Sequence, residues 1–146
     1  MMEPGSTFKT ASILVALDDG VITPETVVET GNGVYMMHGR YMKDHNWHRG
    51  GYGTINTTKS LMVSSNIGVS RLSMSYHDNP EKFVRGLHRV GIATPLDLDI
   101  PGAGKPNIRI PNKDLSNWSR TALAWMSIGY ETQIPPINTL AFYNAI

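Results

Sequence analysis

The sequence contains no cysteine. That excludes disulfides, a thiolate nucleophile and any zinc site built on cysteine. It lacks long apolar runs as well. The longest, Ile13 to Leu17, falls far short of the roughly 20 residues needed to span a bilayer. No basic segment opens the chain, and Glu3-Pro4-Gly5 reads as a turn, so no signal peptide is expected. Charge of one sign is also missing: 13 basic residues face 12 acidic ones, for a formal net charge of +1. A nucleic-acid binder needs a basic surface to offset phosphates, so no nucleic-acid partner is expected. There are no internal repeats and no low-complexity segment.

What is present is one domain's worth of chain, 146 residues, with clear punctuation. Pro4-Gly5 forms a turn, Ser6 can cap, and "TFKTASILVALDDG" reads as a helix ending at Gly20. Its middle is apolar nearly all round, which suits a central helix. "TPETVVETGNGVYMMHGRYMKDHN" has hairpin character. Val27, Val28, Val34 and Tyr35 are strand formers, and Gly31-Asn32-Gly33 supplies the turn. "HRGGYG" is a glycine-rich loop. "TINTTKSLMVSSNIGVSRLSMSY" reads as two helices meeting at a polar corner around Ser64-Ser65-Asn66. Pro80 opens another helix at its first position. Residues 93–114 hold four prolines and two glycines and read as irregular chain with a short strand near Ile108. "LSNWSRTALAWMSIGY" is ambiguous, and Pro135-Pro136 starts the last helix. The sum is mostly α with one β-hairpin. Both ends read as cuts: Met1-Met2 resembles an added start, and "PPINTLAFYNAI" stops in an unfinished helical pattern.

Two short patterns carry chemistry. Ser6 and Lys9 are three apart, so a helix puts their side-chain bases about 5–6 Å from each other. Ser6 lies at the positive end of the helix dipole, which favours a developing negative charge. Lys9 sits beside Phe8 and Ile13. Desolvation there favours the neutral amine, the form able to take a proton from a serine hydroxyl. This is activated-nucleophile logic with lysine as the base. Fifty-eight residues on comes Ser64-Ser65-Asn66. A second serine can relay a proton to a leaving amine, and an asparagine amide can hold a substrate carbonyl and also bond a lysine. Each pattern alone also fits a bland reading, as a capping serine with a surface lysine and as a polar interhelical turn.

Taken together, and in this order, the two patterns resemble the penicillin-binding protein transpeptidases, whose superfamily carries Ser-x-x-Lys, a Ser-Asp-Asn-type motif and Lys-Thr-Gly. "EPGSTFK" is similar to the nucleophile segment of class B enzymes, of the division and elongation types. "SLMVSSNIGVSRL" is similar to their second-motif segment, and "KDHNWHRGGYGTI" to the segment before it. "WMSIGYETQIPPINTLAFYNAI" is similar to the lead into the third motif, with Ile134-Pro135-Pro136 departing mildly. The resemblance covers nearly the whole chain. It implies the helical part of the serine β-lactamase and transpeptidase α+β fold, with the core sheet largely absent.

Carried onto this sequence, the resemblance makes Ser6 the acylated nucleophile and Lys9 its general base. Ser64 becomes the proton relay, and Asn66 the group binding the substrate amide. It implies peptidoglycan stem peptides and β-lactams as partners, with membrane-bound cell-wall synthesis proteins around the full-length enzyme. No cofactor and no metal are implied. The full-length protein would sit in the bacterial cytoplasmic membrane with this domain outside. No lysine is followed by [Thr/Ser]-Gly, so residues 1–146 are expected to be a partial domain, running from the first motif through the second and ending before the third. Such a part is expected to be inactive or only weakly catalytic, because the third motif is missing. The alternatives are a serine β-lactamase or D,D-carboxypeptidase of the same superfamily, and a non-catalytic β-lactam sensor or division scaffold.

The remaining features are expected to be structural. His38, His45 and His48 with Asp44 form a polar loop rather than a zinc site. Trp47, Trp118 and Trp125 are packing residues, and the eight methionines fill the core.

Overall fold

A computed structural model describes residues 2–146. A 3₁₀ turn over Gly5–Phe8 leads into α1 (Lys9–Asp18). Then follow β1 (Val27–Glu29), β2 (Val34–Met37), β3 (Arg40–Lys43) and β4 (Thr54–Asn56). The helices α2 (Thr57–Met62), α3 (Asn66–Ser73) and α4 (Pro80–Arg89) come next. Strand β5 (Asn107–Ile108), α5 (Ala122–Ser127), β6 (Thr132–Gln133) and α6 (Pro136–Ala145) complete the chain. Among the described residues no helix is long and apolar enough to cross a membrane.

Helix α1 is the central element its composition demands. Ala11, Ser12, Ile13, Val15 and Ala16 are all buried, because α3 and α4 pack directly on it. The approach of α4 is close enough that a side chain at Gly86 would put its Cβ 2.3 Å from Val15 Cγ1. Phe8, Val69, Leu72, Phe83, Leu87 and Met126 fill the surrounding core.

The later helices start where local chemistry supplies a cap. Asn56, Ser65 and Asn79 each accept a hydrogen bond from a backbone N–H of the first turn that follows. These bonds satisfy donors that a helix start otherwise leaves open. Pro80 and Pro136 occupy first helical positions, where no N–H is needed. Ser6 behaves differently. It lies inside the 3₁₀ turn and caps nothing, and no side chain caps α1.

The strands correct the sequence reading. There are three separate two-stranded antiparallel pairings among the described residues, β1–β4, β2–β3 and β5–β6. Val27 and Val28 do not pair with Val34 and Tyr35 across Gly31-Asn32-Gly33. They pair with Asn56 and Ile55 of β4. The hairpin is β2–β3, turned by His38-Gly39 with φ of 45° and 83°. Two consecutive positive φ values are what a tight two-residue hairpin turn requires.

Two packing expectations also change. Met42 and Met126 are buried, but Met36 and Met62 are 61% and 74% exposed. Trp118 and Trp125 pack against the core. Trp47 is exposed and carries the Lys43 ammonium 4.3 Å above its ring.

Candidate active site

The site forms where the start of α1 meets the corner between α2 and α3. Its geometry begins with Lys9, the first residue of α1. The 3₁₀ turn places Ser6 one turn ahead, so both side chains leave the same face. The Lys9 ammonium lies 3.2 Å from Ser6 Oγ. It donates to the Ser64 carbonyl at 2.7 Å and lies 2.8 Å from Ser64 Oγ. Three acceptors match the three protons of an ammonium. Lys9 is 1% exposed. Burial lowers its pKa from the usual 10.5 to about 8, and the nearby Asp44 carboxylate opposes part of that fall. A neutral amine is therefore accessible near physiological pH, and that form can accept the Ser6 hydroxyl proton.

Ser64 reaches Lys9 because its backbone is left-handed, with φ of 53°. That conformation is costly for a side chain with a Cβ, of order 1–3 kcal/mol. Neighbouring bonds hold it in place: the Ser64 N–H donates to the Leu61 carbonyl at 3.1 Å and the Ser65 N–H to the Ser60 carbonyl at 2.9 Å. The turn aims both the carbonyl and the hydroxyl of Ser64 at one ammonium.

Behind this turn lies a residue that the motif reading placed elsewhere. Asp44 is buried and accepts from Ser65 Oγ at 2.8 Å and from the Ile67 N–H at 3.1 Å. Ser65 in turn accepts from the Gly68 N–H at 2.8 Å. Asp44 thus ties the end of β3 to the first turn of α3. Gly68 permits the close fit, since a Cβ there would lie 2.6 Å from Ser60 Oγ and 2.9 Å from Ser65 Oγ. The one sequence signal for Asp44 was a lone carboxylate in a polar loop. It points inward, away from the histidines. His45 Nδ1 instead sits 3.1 Å from the Tyr52 hydroxyl.

Asn66 stands at the rim. Its Nδ2 donates to the Lys43 carbonyl at 2.8 Å, and it makes no bond to Lys9. That bond orients the amide with its oxygen free to accept. So Ser6, Lys9 and Ser64 meet directly, and Asn66 flanks them from the next helix.

The Ser6 side is held by bonds to backbone carbonyls. The Gly5 N–H donates to the Gly129 carbonyl at 3.1 Å. A Cβ on Gly129 would lie 2.0 Å from the Gly5 carbonyl oxygen. Ser12 Oγ donates to the Ser127 carbonyl at 2.7 Å, and the Tyr143 hydroxyl lies 2.9 Å from the Thr7 carbonyl. The end of α5 and the last turn of α6 thereby clamp the segment that carries Ser6.

Comparison with known proteins identifies the family. The family model described as "Penicillin binding protein transpeptidase domain" matches residues 1–146. The chain is 30% identical over its whole length to the peptidoglycan D,D-transpeptidase FtsI of Escherichia coli, of which it covers 23%. It is also 30% identical over its whole length to the FtsI of Buchnera aphidicola, again covering 23%. Among solved structures, the transpeptidase domain of Burkholderia pseudomallei penicillin-binding protein 3 superposes with a TM-score of 0.83 at 31% identity. That match covers 98% of this chain and 40% of that one. The chain thus spans about a quarter of the length of these curated relatives.

Proposed function

Because the chain belongs to the penicillin-binding protein transpeptidase domain family, we propose that it forms part of a peptidoglycan D,D-transpeptidase. In this reading residues 1–146 are a partial domain. It supplies the first two motifs and lacks Lys-Thr-Gly. The full-length protein is held in the bacterial cytoplasmic membrane with the domain on the outer side, among other cell-wall synthesis proteins. One observation carries the assignment: a single buried amine, Lys9 Nζ, lies within hydrogen-bond reach of both Ser6 Oγ and Ser64 Oγ.

The steps follow from those contacts. The neutral Lys9 amine takes the Ser6 proton as Ser6 Oγ attacks the carbonyl carbon of a D-Ala-D-Ala peptide bond. As the tetrahedral intermediate collapses, the C–N bond breaks. The proton passes from Lys9 through the Ser64 hydroxyl to the departing D-alanine amine, leaving an acyl ester on Ser6. An amine from a neighbouring stem peptide then attacks the ester carbonyl and gives its proton to Lys9; the acyl C–O bond breaks, and Lys9 returns the proton to the departing Ser6 Oγ, which restores the serine hydroxyl and the neutral amine. Asn66 holds the substrate amide through its free side-chain oxygen. A penicillin enters by the same first step and forms the same ester.

Mass spectrometry of the intact protein after incubation with a penicillin tests this, run beside Ser6→Ala. The expected result is an adduct on the parent chain that is absent in the variant. Lack of an adduct on a longer chain extended through Lys-Thr-Gly would refute the reading. Rapid loss of the adduct there would point to a β-lactamase instead.

A further inference from the structure

A cleft of about 390 Å³ lies apart from Ser6, Lys9, Ser64 and Asn66, none of which lines it. It lies between the β2–β3 hairpin and the flank formed by α3 and the segment leading into α5. Tyr35, Met36 and His38 line one wall, and Arg71, Met74 and Arg120 the other. Three features of it converge.

The first is charge. Arg71 and Arg120 both line the cleft, and no carboxylate is among its lining residues. Neither guanidinium takes part in any of the ion pairs among the described residues. Arg71 instead sits 5.2 Å from the centre of the Tyr35 ring. The Glu29 carboxylate feels the charge of Arg71, but it bonds the Gly31 N–H and the Thr54 hydroxyl and forms none of the ion pairs among the described residues.

The second feature is the open edge of β2. That strand pairs with β3 on one side and, among the described residues, has no strand on the other. The two-residue turn makes Met37–Arg40 and Tyr35–Met42 the pairs that exchange hydrogen bonds. The N–H and C=O of Met36 therefore point outward. Consecutive residues of β2 alternate faces, yet Tyr35, Met36 and His38 all line one cleft. The cleft must run along the outer edge of the strand.

The third is the lining itself. Methionine side chains are flexible and polarisable, and they adapt to varied apolar partners. Met36 offers such a surface at 61% exposure.

We propose that this cleft is a docking site for an acidic polypeptide segment that adds to β2 as an extended strand. Main-chain bonds form with Met36, carboxylates meet Arg71 and Arg120, and the alternate apolar side chains rest on Met36 and Met74. An open strand edge supplies affinity, and flanking pockets supply selectivity, in this mode of recognition. The site is independent of the proposed acyl transfer.

Fluorescence anisotropy with a labelled octapeptide alternating glutamate and valine tests it on the whole chain at physiological ionic strength. Saturable binding is expected. Replacing glutamate by glutamine in the peptide should weaken it about tenfold, as should the double variant Arg71→Glu/Arg120→Glu. Placing a proline or an N-methyl group at the centre of the peptide should weaken it by a similar factor, as should Met36→Pro, which removes one outward N–H. The altered peptides test the proposal without altering the protein. No saturation at about 1 mM peptide would overturn the proposal. So would binding indifferent to peptide charge, or binding indifferent to the central proline.

Discussion

The two walls of the site are built from different materials. The Ser6 wall rests on backbone against backbone, Gly5 against Gly129, with no room for a single Cβ between them. The Ser64 wall rests on a buried side chain, the Asp44 carboxylate, which holds Ser65 and the Ile67 amide. A backbone contact fixes position and carries no charge that titrates. A carboxylate fixes position and also sets the electrostatics of what lies in front of it. Ser6 therefore sits on a support made mostly of backbone, with the exposed Glu3 carboxylate at its edge, while Lys9 faces a buried carboxylate.

Substitutions should separate the two kinds of wall. Gly129→Ala should have the largest effect. The residue has φ of 88° and its Cβ would lie 2.0 Å from the Gly5 oxygen, so a loss of about 3 kcal/mol or more is expected in urea denaturation. The pH dependence of penicillin acylation in the surviving folded protein should not move. Asp44→Asn should cost about 2 kcal/mol, since an amide in place of the carboxylate sets a donor against the Ile67 N–H or the Ser65 hydroxyl. It should move the pH profile as well. The Asp44 charge raises the pKa of Lys9, so its loss lets acylation begin at lower pH. A profile that stayed put in Asp44→Asn would mean that the second wall is as quiet as the first.

Lys9 itself gives a smaller, continuous signal. Its pKa falls from 10.5 to about 8 on folding. Below about pH 8 both folded and unfolded chains carry the proton, and this group adds no slope. Between about 8 and 10.5 the unfolded chain binds more protons, so this contribution to stability rises with pH across that window. Lys9→Met should remove that slope in melts taken across the window. The smallest effect belongs to a pair at neither wall. Glu81 and Arg85 form an exposed i, i+4 bridge on α4, and Arg85→Ala should change stability by about 0.5 kcal/mol or less.

The Ser6–Lys9 contact was legible in the sequence because it is local. Three residues on a helical turn fix Ser6 and Lys9 on one face whatever surrounds them. Ser64 and Asn66 were legible as a motif, and the helix corner they mark is where it was expected. Asp44 was not, because its partners lie 21 and 23 positions away and nothing local distinguishes a carboxylate that will turn inward. The strand pairings failed for the same reason. Val28 finds Ile55 through the packing of the whole domain, whereas Gly31-Asn32-Gly33 satisfies every local rule for a turn and joins strands that do not pair. His38-Gly39 carries only half of the Asn-Gly or Asp-Gly signature of a two-residue hairpin turn, so it stands out less in the sequence than Gly31-Asn32-Gly33.

The clamps around Ser6 also bear on the order of folding. Glu3 accepts from the Glu131 amide, 128 positions away, Tyr143 meets Thr7 across 136, and Lys9 meets Ser64 across 55. Loops that long close late, after local helices have formed, and their closure entropy weighs on the folding rate. The Ser6 turn can be assembled only when distant parts of the chain have come together. Reactivity at Ser6 would then report completed folding, and a chain labelled by a penicillin during refolding would be marked at the moment its last contacts close.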